Sequence, residues 1–301
     1  MKQVAVISGK GGTGKTTLAA SFAVLGRNQV VIADADVDAP DLHLLLSPQV
    51  LQSEEFFGSK IAIMDENKCT ECAECERHCR FEAIKDLRID PLHCEGCGVC
   101  AYVCPEEAIT LQDERTGDVY TSETKFGPMV HANLYPGSEA SGKLVTQVRN
   151  LAQRLCLEHD GGLIVIIDGP PGIGCPVIAS LAGVDLALIV TEPTLSGLVD
   201  MKRVLDLAEH FNIEPLVCIN KFDINLKNTQ TIREFCRESK IEFVGMIPFD
   251  EEVDRALKLG RSVVDIFDGP AAGAIRKVWK IVLRHLGNGK SIESSCQKEA
   301  Y

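Results

Sequence analysis

Short apolar runs recur along the chain, bounded by glycine, proline, aspartate or asparagine, and alternate with longer segments whose apolar residues fall at helical spacing. The runs at residues 4–7, 30–33, 163–167, 186–190, 216–219 and 243–247 show no polar alternation, which predicts strands covered on both faces of a parallel sheet. Helices are predicted from residue 18, from Ser141-Gly142-Lys143 with apolar positions at Leu144, Val148, Leu151, Ala152 and Leu155, and over about 197–210. Strands alternating with helices predict an α/β fold: a doubly wound, mostly parallel sheet with its ligand at the strand C-termini.

The alternation lapses in the middle of the chain. From about Ile61 cysteines and charges replace the apolar runs, and from Ile109 to Tyr135 apolar and polar residues alternate around Gly117 and Gly127-Pro128. That pattern predicts hairpins returning to the main domain. The expected organisation is a discontinuous main domain, 1–59 and 113–287, a small inserted α+β module at 60–112, and a polar tail at 288–301.

Composition narrows the field. A chain of 301 residues accommodates one large α/β domain plus a small module. The net charge of −12 disfavours a broad nucleic-acid or anionic-membrane surface. No run approaches the roughly 18 apolar residues of a membrane helix, and the first strand begins too early to leave room for a signal peptide. Of thirteen cysteines, eight fall into two tight clusters, the usage of a cytosolic metal protein rather than of a disulfide-bonded secreted one. A cytoplasmic protein with no nucleic-acid partner and no integral membrane association is expected.

Ser8-Gly9-Lys10-Gly11-Gly12-Thr13-Gly14-Lys15-Thr16-Thr17 joins the first strand to the first helix. Strand, glycine loop and helix start together form the context of a phosphate-binding P-loop. Backbone N–H groups from Gly11 to Thr17 turn inward, and the helix start adds partial positive charge. Lys15 is expected to reach the β- and γ-phosphates, and the Thr16 hydroxyl to ligate Mg²⁺. The carboxylates of Asp34-Ala35-Asp36-Val37-Asp38 end the second strand, where Mg²⁺ and attacking water are handled. Asp168 ends the run at 163–167 in the Walker B manner, so Asp34 and Asp168 are assigned to the Mg²⁺ site. Gly172 of the following Gly169-Pro170-Pro171-Gly172 loop is expected to offer its N–H to the γ-phosphate. Pro248 and Phe249 are placed beside the base, as is Asn220-Lys221-Phe222-Asp223, a string that also matches the guanine-reading motif of GTPases.

Cys69, Cys72, Cys75 and Cys79 are followed by Cys94, Cys97, Cys100 and Cys104-Pro105, each run at the spacing of a bacterial [4Fe–4S] ferredoxin. The fourth cysteine of each run ligates the other cluster, which assigns Cys69, Cys72, Cys75 and Cys104 to one cubane and Cys94, Cys97, Cys100 and Cys79 to the second. Paired C-x2-C units also make zinc sites, but two consecutive four-cysteine runs favour iron and sulfur. Phe81-Glu82-Ala83-Ile84 answers Glu106-Glu107-Ala108-Ile109, so the repeat extends past the ligands. His78 and His93 read as surface residues; Cys156, Cys218 and Cys236 read as core thiols.

Lys10 completes a Lys-Gly-Gly-Thr-Gly-Lys-Thr box that resembles the deviant Walker A motif of the MinD/ParA/nitrogenase-iron-protein ATPases. With the Gly-Pro-Pro-Gly-Ile-Gly-Cys-Pro segment from Gly169 and the insert, nearly the whole chain resembles MinD-superfamily ATPases carrying an inserted ferredoxin domain. The resemblance implies ATP rather than GTP, with Asn220 and Lys221 at the adenine and Asp38 handling the attacking water. It also implies that Lys10 crosses an ATP-dependent dimer, formed with a second copy or a paralogue, to touch the partner's phosphates. Cys175 stands where the nitrogenase iron protein has a cluster ligand, though that relative's second ligand has no counterpart here. Three functions follow: ATP-gated electron transfer to a partner metalloprotein or redox protein, iron–sulfur or metal-cofactor assembly, and MinD-like positioning through a protein partner. Electron transfer leads, because eight ligands in a closed pattern hold clusters firmly.

Overall fold

β1 (Lys2–Ser8) is buried from Gln3 onward and forms the middle of a sheet, pairing in parallel with β8 (Ile164–Pro171) and β9 (Leu186–Thr191). The structure is a computed structural model that describes residues 1–159 and 163–287; the predicted tail and Cys296 lie outside the described residues. In chain order the remaining strands are β2 (Val30–Asp34), β3 (Gln49–Met64), β4 (Ile84–Lys85), β5 (Arg88–Ile89), β6 (Ile109–Thr124), β7 (Gly127–Leu134), β10 (Glu214–Asn220) and β11 (Glu242–Ile247). Nine of them form one sheet in the order β11-β10-β9-β1-β8-β2-β7-β6-β3, parallel as far as β7 and antiparallel beyond it.

Helices cover both faces. α1 (Lys15–Leu25), α2 (Leu42–Leu46), α9 (Glu251–Lys258), α10 (Val263–Ile266) and α11 (Pro270–His285) close one core, where Phe22 stacks on Trp279 at 4.8 Å. α5 (Ser141–Glu158), α6 (Cys175–Leu181), α7 (Leu195–His210) and α8 (Leu226–Glu238) close the other, with Leu144, Leu181, Val204 and Ile232 fully buried. Each such side chain contributes about 1.5–3 kcal/mol by leaving water. Cys156, Cys218 and Cys236 are buried as expected.

The sequence pattern gave no strand at 49–64, yet β3 is sixteen residues long. It pairs with β6 from Gln49 opposite Glu123 to Met64 opposite Ile109. β6 is bound by β7 only from Gly117 onward, so the outer halves of β3 and β6 pair with each other alone, as a two-stranded ribbon leaving the sheet. The register slips on either side of Phe57, at the ribbon's root. The expected module boundaries fall opposite each other on this ribbon, where Ser59 faces Glu114 and Lys60 faces Asp113.

The ribbon carries two half-modules with α3 (Glu74–Arg77) and α4 (Val99–Val103). Their backbones repeat one another. The Asp65 N–H donates to the Ala108 carbonyl and the Asp90 N–H to the Ala83 carbonyl, each at 2.7 Å. Glu71 answers Gly96, and Glu82 answers Glu107, all with positive φ. Ile84 and Ile109 are both buried in the module's own small core with Cys75 and Cys100, while His78 and His93 are exposed.

Candidate functional site

The P-loop leaves β1 and turns at Gly14, whose φ of 92° and contact with the Asn220 amide exclude any side chain. Asn220 donates from Nδ2 to the Thr13 carbonyl at 2.8 Å and accepts the Lys221 N–H, so its first commitment is to brace the loop rather than a base. Lys15 opens α1 and is 5% exposed; Gly11 and Gly12 face solvent, with Thr16 and Thr17 half-buried. Thr13 is buried and its hydroxyl has no hydrogen-bond partner among the described residues. The loop, the helix start and a recessed lysine make an anion cradle.

Asp34, the last residue of β2, lies directly opposite Asp168 on the neighbouring β8, and both are buried. Both Asp34 oxygens accept backbone N–H groups, from Asp36 and Leu42, each at 3.2 Å, so Asp34 also fixes the start of α2. Among the described residues, neither Asp168 oxygen has a hydrogen-bond partner of ordinary geometry. Burial pushes Asp168 up to about 7, against the pull of the nearby Thr16 hydroxyl and Lys15 ammonium, and burial together with Asp168 raises Asp34. An unpartnered buried carboxylate beside Thr16 suits a hard divalent cation. Asp36 is held near 6 by burial, again opposed by Lys15, whereas Asp38 lies exposed on the following turn.

One expectation changes here. Gly172 does not present its N–H to the phosphate site; it donates to the Ser8 carbonyl at 2.9 Å, tying the loop after β8 to the end of β1. Lys143, at the start of α5, donates from its ammonium to the Gly58 carbonyl at 3.0 Å. Asp223 accepts the Phe249 N–H at 2.7 Å and so fastens the loop holding Pro248. Cys175 is exposed at the start of α6, its Cβ close against Gly142. Sequence reasoning gave no role to Glu192, which bridges Lys10 and Lys221; an acid at the C-terminal end of β9, beside a P-loop, was the available signal. Lys221 and Lys10 outweigh its burial and hold its carboxyl below the usual range.

In the inserted module, Cys69, Cys72, Cys75 and Cys104 line one cavity, and Cys79, Cys94, Cys97 and Cys100 line another. Backbone N–H groups of Glu71 and Ala108 donate to the Cys69 and Cys104 sulfurs at 3.4 and 3.3 Å. Among the described residues, no three His, Cys, Asp or Glu side chains converge as they would on a single ion. Zinc needs its sulfurs about 2.3 Å from one point; here each set of four surrounds a space.

A parallel, doubly wound sheet with a P-loop and an acid at the strand ends defines a nucleotide-binding protein of the P-loop α/β class. The sequence model of the CobQ/CobB/MinD/ParA nucleotide binding domain (CbiA) matches residues 4–263, and the chain belongs to that family. The uncharacterized protein MJ0578 of Methanocaldococcus jannaschii is 34% identical over 257 residues, 85% of this chain and 87% of its own. An iron-sulfur cluster carrier protein of Pyrococcus abyssi is 26% identical over 315 residues, 97% of this chain and 88% of its own. The septum site-determining protein MinD with Mg-ADP from Pyrococcus horikoshii superposes with a TM-score of 0.59 at 17% identity, over 96% of this chain and 99% of that one. No described helix is long and apolar enough to cross a membrane.

Proposed function

We propose that this chain is a Mg-ATP-binding and hydrolysing iron–sulfur protein in which nucleotide state gates electron transfer with a partner metalloprotein. The observation that carries it is the sorting of eight cysteines into two cavities of four, on a ribbon that leaves the sheet at the end where β1 runs into the P-loop. Each set mixes three cysteines of one run with the last of the other, the exchange that two-cluster ferredoxins use. Two [4Fe–4S] clusters held there would supply one-electron redox capacity.

At the nucleotide site, the P-loop amides and Lys15 would hold the phosphates, while Thr16 and Asp168 would hold Mg²⁺, with Asp34 behind them. Asp38, on an exposed turn, is free to orient water once a second copy covers it. Ile173, Leu195 and Val199 stay exposed around the P-loop, at 48%, 76% and 50%, apolar surface that suits an ATP-dependent dimer with a second copy or a paralogue.

A second function is favoured by the likeness to the Pyrococcus abyssi iron-sulfur cluster carrier protein: transfer of a cluster to an acceptor. One experiment separates the two. Anaerobically isolated chain is reduced, mixed with an apo acceptor and Mg–ATP, and iron and electrons are tracked separately. Electron transfer with iron retained supports the first function; iron leaving the chain supports the carrier. Stoichiometric zinc without iron would end both.

A further inference from the structure

Lys10 and Lys221 come from different loops, yet both ammonium groups close on one carboxylate. Glu192 Oε2 lies 3.2 Å from Lys10 Nζ, and Glu192 Oε1 lies 2.7 Å from Lys221 Nζ. Lys10 also donates to Thr194 Oγ1 at 3.4 Å, and Thr194 caps α7 by accepting the Gly197 N–H. The Glu192 side chain is only 13% exposed, so the bridge is better shielded from solvent than a surface ion pair. Lys10 is therefore drawn along its own chain toward β9 and α7.

We propose that Glu192 is a positioning residue that acts through Lys10: it latches the lysine in the single chain and yields it when ATP-loaded copies meet. This deepens the dimer proposed above and rests on it. One ammonium cannot serve Glu192 and a partner's triphosphate at once. The triphosphate carries several negative charges against one, so it wins the competition when the copies close. Lys221 explains why the bridge has two arms. After Lys10 leaves, the carboxylate keeps a cation, and no shielded charge is stranded. The latch thus opens at small cost, and only toward a strongly anionic ligand.

The test is sedimentation velocity on the full, anaerobically isolated chain with Mg²⁺ and a slowly hydrolysed ATP analogue, across protein concentration. Two latches open per dimer, and each is worth roughly threefold, so Glu192→Gln should lower the dimer dissociation constant by about tenfold. In a Lys10→Ala background the same substitution should change nothing, a result that a purely structural role of Glu192 would not give. Should Glu192→Gln fail to fold, Glu192→Asp, one methylene shorter, takes its place with a smaller shift of the same sign. An equal gain in the Lys10→Ala background, or no gain in either, overturns the latch while leaving the dimer intact. A parent chain that stays monomeric at every concentration overturns both.

Discussion

The Lys143 ammonium donates to the Gly58 carbonyl across 3.0 Å, fastening the start of α5 to the point where the ribbon leaves the sheet. The loops that follow β2 and β8 both reach this point. From the second, Cys175 packs against Gly142, the neighbour of Lys143. From the first, the Val37 carbonyl accepts the Leu134 N–H, Tyr135 donates to the Thr116 carbonyl, and Thr116 Oγ1 accepts the Gly58 N–H at 2.9 Å. Lys143→Met should therefore leave ATP affinity and iron content unchanged while reducing any ATP-induced shift in cluster potential. The check is a redox titration with and without Mg–ATP. Linkage requires that a tenfold change in ATP affinity on reduction match about 59 mV for one electron. An unaltered shift in Lys143→Met would show that the coupling runs elsewhere.

Lys15→Ala removes the recessed cation of the P-loop and should weaken Mg–ATP binding. Asp38→Ala should leave binding near the parent's level while turnover drops roughly a hundredfold. Equilibrium binding of a fluorescent ATP analogue and single-turnover hydrolysis separate the two effects. Equal turnover in Asp38→Ala and the parent would move the water-handling role to another carboxylate, with Asp36, on which the Lys15 charge acts, next in line.

The two cysteine-lined cavities predict about eight irons per chain, four for each cubane. Reduced samples should give electron paramagnetic resonance spectra of two interacting clusters. Cys97→Ala should abolish the interaction and leave the signal of the cluster held by Cys69, Cys72, Cys75 and Cys104. Spectra of a single cluster in the parent would contradict the assignment.

Asp168 offers a pH test on the unliganded chain. Its folded-state pKa of about 7 stands above the ordinary 3.8, so the folded chain binds the extra proton and loses stability as pH rises through that window. Asp168→Asn should therefore stabilise the chain by about 2 kcal/mol at pH 8 and by nothing near pH 4, while abolishing tight Mg²⁺ binding. Urea unfolding at the two pH values decides it. A variant less stable than the parent at pH 8 would mean that the carboxylate is satisfied after all.

His131 works in the opposite direction. It is buried between His43 and Tyr120, bonds to Ser122 Oγ at 3.0 Å, and is pushed down to about 4 by burial and by His43. The unfolded chain takes up the proton first, so this site costs stability as pH falls from about 6.5 toward 4. Between pH 7 and pH 4.5 the parent should lose about 2 kcal/mol more than His131→Gln. Parallel stability curves for the two proteins would remove the effect.

How much could be seen in advance follows from how local each feature is. The parallel strands are continuous apolar runs because both faces are covered, and the P-loop and cysteine runs are defined by spacing alone. β3 escaped because its first half, Gln49 to Glu55, lies largely exposed at the sheet edge, and the buried positions of its second half, Phe56, Gly58 and Ala62, are broken by register slips and include a glycine. Gly172, Lys143 and Glu192 escaped for another reason. Their partners, Ser8, Gly58, Lys10 and Lys221, lie far away in sequence, and only the sheet order makes them neighbours.

The ribbon also bears on how the molecule would survive without the clusters proposed for it. The insert departs and returns side by side, Phe56 facing Gly117 where β7 still binds β6, so its two ends are held together by the main sheet whether or not the segment between them is ordered. The entropy of a disordered loop grows slowly with its length, about 0.6 kcal/mol per doubling. An insert stripped of iron could therefore melt as a closed loop at little expense to the nucleotide core. Were the proposed clusters lost, the chain would then persist as a folded nucleotide-binding core awaiting reloading, and iron starvation would not send the whole molecule to proteolysis.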